Sequence, residues 1–193
     1  MLKDMISKPE NAKVYWREFM IQCSDIGIGS VGIVSIVSVF MGAVSAVQTA
    51  YQLTSPLIPK TTIAQVVRDT VILEFSPTLV CIVLAGVVGS RIASELGNMR
   101  VSEQIDALEI MGINTKTYLI LPKIGAALLM IPLLMILSMV LGIWGGRLAG
   151  SASNILSTDT FDRGLQQSFI PFNVWFALIQ GYKFSFLLRT LPD

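Results

Sequence analysis

Three carboxylates, Glu103, Asp106 and Glu109, stand at i, i+3 and i+6 in a short stretch rich in helix formers. That spacing could present oxygen ligands to a divalent cation, but solvated helix surface is the ordinary use of such a set. A fourth carboxylate, Glu74, lies inside a long apolar run, with Pro77 three residues later. A carboxylate in hydrocarbon costs several kcal/mol unless it pairs or meets water, which makes Glu74 a functional candidate. The bland reading is that Glu74 lies near the outer end of its span and snorkels, or pairs with Arg68, and the residues alone leave both open. Other chemistry lacks its parts. The chain has no histidine, and Cys23 and Cys81 are isolated, so a zinc site or a disulfide framework is not indicated. No GxxxxGK[ST] loop is present for nucleotide phosphates. No serine or threonine stands beside an obvious base for covalent catalysis. No cofactor is expected, and the chain reads as a subunit and not as an enzyme.

The elements that must position these residues follow from composition. Of 193 residues, 53% are apolar and only 14% charged, whereas a soluble domain carries about a quarter charged residues. The deficit is concentrated in windows without any charge, including 26–59, 75–90 and 124–146. A bilayer core needs about 20 consecutive, mostly apolar helical residues, and at least three regions meet that length. The expected fold is therefore all-α, a single polytopic membrane domain over 1–193. A net charge of +1 gives no field that would favour nucleic acid.

Taken in order, Ser7 and Glu10 form a capping box with Pro9 in the first turn. Tyr15, Trp16, Phe19, Met20 and Cys23 then share one side, opposite Lys13 and Arg17. This pattern predicts an interfacial helix at 7–24. Spans are expected at 26–50, 70–90 and 118–146, with a polar connection at 51–69 and another at 147–167. Ser38, Gly42, Ala46 and Ala50 recur every fourth position, spacing that lets another helix approach closely. Ala85, Gly86 and Gly89 offer a similar face. Residues 173–188 form a partial fourth span, short and interrupted by Gln180 and Lys183. Between the second and third spans, Val101, Ile105, Leu108 and Met111 make an apolar stripe, with Arg100, Glu103, Gln104, Asp106 and Glu109 around it. With Asn98 as N-cap and Gly112 as a stop, a short amphipathic helix is predicted over 98–112. Such a helix is marginal alone in water and needs something to dock on. Its acidic face disfavours anionic lipid and favours a protein.

Orientation follows from the cations. With the N-terminus in the cytoplasm, Lys3, Lys8, Lys13, Arg17, Arg91, Arg100, Lys116 and Lys123 lie inside, outnumbering Lys60, Arg68, Arg147 and Arg163 outside. This agrees with the positive-inside rule and puts the 98–112 helix in the cytoplasm.

The segments EFSP at 74–77, AGVVGS at 85–90, ELGNMRVSEQIDALEIMG at 95–112 and YLILPK at 118–123 together closely resemble the MlaE-type permeases. These are membrane subunits of ABC transporters that work with MCE-domain lipid-binding proteins. The resemblance covers about residues 14–188 and is strongest over 74–123. It implies a homodimeric permease in the bacterial inner membrane, each copy bound to a cytoplasmic ATPase and moving phospholipid or a related lipid. It also implies that Arg100, Glu103, Gln104, Asp106, Ala107, Leu108 and Glu109 belong to a coupling helix seated on that ATPase. Glu74, with Pro77, would lie near a lipid cavity between two permeases. The pattern departs from the family at its end. A fifth span and the GAxGVG-type segment before it are missing, Gln180 stands where many members have lysine, and a truncated chain is expected. Two other classes fit the residues without the resemblance: an ion- or proton-coupled carrier titrating Glu74, and a non-transporting membrane anchor that recruits a protein through 98–112.

Overall fold

A computed structural model describes the backbone of residues 12–53, 59–104, 107, 110, 115–153 and 156–190. The capping box at Ser7 and Glu10 lies outside these residues. The described chain consists of α1 (Ala12–Gln52), α2 (Thr61–Thr70), a π-helical turn (Val71–Phe75), α3 (Ser76–Val101), α4 (Thr115–Ala152), α5 (Thr158–Gln166) and α6 (Phe172–Thr190). Among the described residues, three stretches are long and apolar enough to cross a membrane: Trp16–Gln52, Thr61–Val101 and Gly125–Ala152. The protein is an all-α, polytopic membrane protein.

The helix boundaries differ from those expected. α1 is unbroken through 24–26, where an interfacial helix was to end and a span to begin. The reason is packing. Phe19, Cys23, Ile26 and Val34 belong to one apolar cluster with Val80 and Leu84 of α3 and Ile131, Leu134 and Met135 of α4. Of the stripe that suggested a membrane surface, Phe19 and Cys23 thus join the core, while Trp16 and Met20 stay exposed. The 41 residues of α1 extend about 60 Å at 1.5 Å per residue, twice the hydrocarbon thickness of roughly 30 Å.

The most extensive helix contact is between α1 and α4. The small-residue spacing read from α1 is used here, inside the chain. A Cβ added at Gly42 would collide with the Gly142 carbonyl oxygen, and one at Gly145 with that of Val39. Only missing side chains allow backbones this close. Beside them, the Ser38 and Ser138 hydroxyls hydrogen-bond across the crossing at 2.8 Å, fully buried. The second small-residue face behaves differently. Nothing lies within 4 Å of a Cβ built at Gly86 or Gly89.

Two short helices replace expected connections. α2 and α5 pack on each other through Ile63, Ala64, Val67 and Phe161, joined by Ala46, Val71 and Leu156. Each is amphipathic over little more than two turns, too short to stand alone. α5 starts at an N-cap, Ser157, whose hydroxyl accepts from the Thr160 N–H. The partial fourth span corresponds to α6, which packs Ala177 against Ile72 of the π turn and Met139 of α4.

Candidate functional site

The π turn explains how Glu74 is displayed. Pro77 has no N–H, and its ring clashes with the carbonyl four residues back, so the regular helical ladder cannot pass through it. The chain responds one turn earlier, where the Ser76 N–H donates to the Val71 carbonyl five residues back. Such single π turns insert one extra residue and are frequent at functional sites. Pro77 is buried as a wedge while Glu74 points outward and is exposed. From there Thr78, Ile82, Gly86 and Ser90 follow at four-residue steps, all exposed. Glu74 thus heads an open stripe on one face of α3, ending where Gly86 and Gly89 leave bare backbone.

The option that Glu74 pairs with Arg68 is corrected. Arg68 is 3% exposed. Its guanidinium donates to the carbonyls of Leu165 at 2.7 Å, Gln167 at 3.0 Å and Ser168 at 3.3 Å, and to Asp69 Oδ1 at 2.9 Å. It also lies over the Phe169 ring, 5.5 Å from the centroid. Four of its five N–H groups are committed to these partners, and Glu74 forms no ion pair among the described residues. Arg147 is similarly engaged, donating to Asp162 at 2.7 Å. Two of the four cations counted on the outer side are therefore matched by carboxylates.

The acidic segment starts later than expected. Asn98 is not an N-cap, because α3 continues through it to Val101. Its carbonyl accepts from the Ser102 N–H at 3.0 Å and from the Ser102 hydroxyl at 2.7 Å. Glu103 then takes a positive φ of 54°, a left-handed conformation that ends the helix. A new turn begins at once, with the Ala107 N–H donating to the Glu103 carbonyl at 3.1 Å. Glu103 is thus the pivot between α3 and the segment beyond. Arg100, Glu103, Gln104 and Ala107 are all exposed. Asp106, Leu108 and Glu109, also assigned to this segment, lie outside the described residues. Two apolar side chains are strongly exposed near the pivot, Val101 at 84% and Ile110 at 87%. The apolar stripe did not include Ile110, because it assumed one continuous helical phase that the break at Ser102 and Glu103 resets.

The two candidate regions share one element. From Ser76 to Val101, α3 has 26 residues, about 39 Å of continuous helix. One end presents the Glu74 stripe and the other the exposed turn at Glu103. Among the described residues no cluster of His, Cys, Asp or Glu is arranged to hold a metal ion.

Comparison with known proteins adds a second line. Residues 19–192 match the family model described as Permease MlaE. A probable ABC transporter permease protein of Rickettsia bellii is 33% identical over 92% of this chain and 68% of its own length. The intermembrane phospholipid transport system permease protein MlaE of Haemophilus influenzae is 27% identical over 92% of this chain and 74% of its own. The chloroplastic protein TRIGALACTOSYLDIACYLGLYCEROL 1 of Arabidopsis thaliana is 29% identical, and the chain spans 51% of its length.

Proposed function

This chain belongs to the MlaE permease family, and from that premise we propose that it is the membrane subunit of an ATP-driven transporter moving phospholipid or a related lipid. The observation that carries the reading is the single helix α3, which links a carboxylate face in the membrane to an exposed turn in water. Two copies would bring their Glu74 stripes together around a lipid cavity in the bacterial inner membrane. An unpaired carboxylate facing lipid tails is costly, and a cavity shared with a second copy gives it water and polar company. The open backbone at Gly86 and Gly89 suits the close approach of a second helix. At the cytoplasmic end, Glu103, Gln104, Asp106, Ala107, Leu108 and Glu109 would seat on a separate ATPase, with Val101 and Ile110 as its apolar anchors. A rigid helix then passes nucleotide-driven movement from that seat to the cavity. An MCE-domain protein outside the membrane would hand lipid to or from the cavity.

The test uses the full-length protein expressed with its genomic neighbours. Leu108→Arg should abolish co-purification of an ATPase, and Glu74→Gln should keep the ATPase but lose lipid transfer between vesicles. Unchanged ATPase recovery and transfer in Leu108→Arg would overturn the reading. Transfer driven by pH without any ATPase would assign a Glu74-dependent carrier instead. Recruitment with no transfer in the unmutated protein would assign an anchor.

A further inference from the structure

A second polar feature lies at the opposite end of the membrane segment from Glu74. Asp25 precedes the uncharged run of α1 and Arg91 follows that of α3. Between them opens a cleft of ≈ 230 Å³. Arg91 is seventeen residues beyond Glu74 on a nearly continuous helix, about 26 Å away, close to the roughly 30 Å of a hydrocarbon core. The cleft therefore sits at headgroup depth in the leaflet nearer the Glu103 turn. Its floor is apolar, with Ile26 and Val88, and its walls carry Asp25, Arg91 and Glu95.

The Arg91–Asp25 pair is looser than the Arg147–Asp162 and Arg68–Asp69 pairs. Its nitrogen and oxygen are 3.6 Å apart, against 2.7 Å for Arg147–Asp162 and 2.9 Å for Arg68–Asp69. Charge-assisted hydrogen bonds close to about 2.7–2.9 Å. At 3.6 Å the two groups hold each other in place without consuming the donors of one or the acceptors of the other. Both are half exposed, at 50% and 54%. The guanidinium lies along the bare backbone of α1, with Nη2 3.4 Å from where a Gly29 Cβ would stand. Ser94, Asn98 and Gln22 add neutral hydrogen-bonding groups to the rim.

We propose that this cleft binds the zwitterionic headgroup of a phospholipid bearing a primary ammonium, as in phosphatidylethanolamine, from the leaflet beside the Glu103 turn. The phosphate bonds the Arg91 fork, which offers planar, bidentate donors. The ammonium bonds the Asp25 carboxylate, and the glycerol end rests on Ile26 and Val88. A quaternary ammonium has no hydrogens to donate to Asp25. A headgroup with phosphate and no cation leaves the Asp25 carboxylate unmatched and facing a second negative charge. The volume is below the roughly 300–1,000 Å³ of pockets that engulf a drug-sized ligand, so it takes a headgroup and leaves the acyl chains in the bilayer. This site is separate from the Glu74 stripe and does not depend on the transport reading, since a non-transporting anchor would carry the same cleft.

Native mass spectrometry of the delipidated full-length protein tests it, with phosphatidylethanolamine, phosphatidylcholine and phosphatidylglycerol of identical acyl chains as probes. Phosphatidylethanolamine should be retained roughly tenfold over the other two, the scale of one charge-assisted hydrogen bond. Asp25→Asn, nearly isosteric, should erase that preference while leaving some binding of all three. Arg91→Ala should weaken all three by a similar factor, and Gly29→Leu should do so by crowding the guanidinium without removing a charge. Equal retention of the three lipids by the unmutated protein would overturn the proposal, as would a preference that survives Asp25→Asn.

Discussion

Replacing Arg68 tests the reasoning about the α2–α5 end of the fold most directly. This residue ends α2, yet its bonds are to the last carbonyls of α5 and the turn that follows, 97 to 100 residues away. The final carbonyls of a helix have no partner of their own, and they form the negative end of its dipole. Arg68 therefore caps α5 from another element and holds the turn at Ser168, whose φ is +54°. Bonds of this kind to a charged donor contribute about 1.5–3 kcal/mol each, but they are not additive. Breaking a buried charged cluster on one side costs about 3–5 kcal/mol, which sets the expectation for Arg68→Ala. Arg68→Lys keeps the charge but not the fork, so it should cost roughly half as much. Arg68→Met keeps the stem and loses every polar contact, so it should resemble alanine. The loss should be local. Amide exchange over 158–172 should accelerate about a hundredfold or more for 3 kcal/mol, at 1.4 kcal/mol per factor of ten. Exchange in α1 and α4 should stay unchanged. Parent-like protection of 158–172 in Arg68→Met would refute the capping argument, and so would a lysine variant as damaged as alanine.

Three further sets of substitutions check other parts of the structure. Gly42→Leu should force α1 away from α4 and destabilise the detergent-purified protein by about 1–3 kcal/mol or more, whereas Gly32→Ala, with nothing within 4 Å, should leave the melting temperature within a degree or two; equal behaviour would contradict the crossing. Ser38→Ala or Ser138→Ala should each cost about 1–3 kcal/mol by orphaning a buried hydroxyl, and the double variant should cost less than the two together; strict additivity in thermal melts would show that the bond is not made. Glu103→Gly should relieve the left-handed strain of about 1–2 kcal/mol and Glu103→Val should increase it, read as opposite shifts in protease resistance at residues 99–107.

What the sequence revealed and what it hid divide along a physical line. Hydrocarbon length is a property of consecutive residues, so the three spans could be read from the chain, and small residues every fourth position marked a packing face before any neighbour was known. Where those spans end is decided by contacts the sequence does not display. Asn98 is a good N-cap residue, which argued for a new helix starting there. The helix continues because the Asn98 carbonyl has two donors in Ser102, and the cost of one glycine is only about 1 kcal/mol. The same holds for α2 and α5, polar on average and stable only as a pair around Phe161.

Arg68 and Glu74 make the sharper contrast. By position both were charges near the outer end of a span, natural partners for each other. The structure separates them: Arg68 is buried among backbone carbonyls, and the π turn before Pro77 leaves Glu74 exposed. A protein that has hydrogen-bonding capacity to spare at this level places a cation in its interior and still leaves a carboxylate unpaired at the surface of its own fold. That arrangement is costly for a solitary chain in lipid, and the cavity proposed between two copies would lower the cost by keeping the carboxylate in contact with water. The unpaired carboxylate is thus the strongest physical argument in the fold that this chain works beside another, and α3 is the element through which that neighbour and the exposed turn at Glu103 would feel each other.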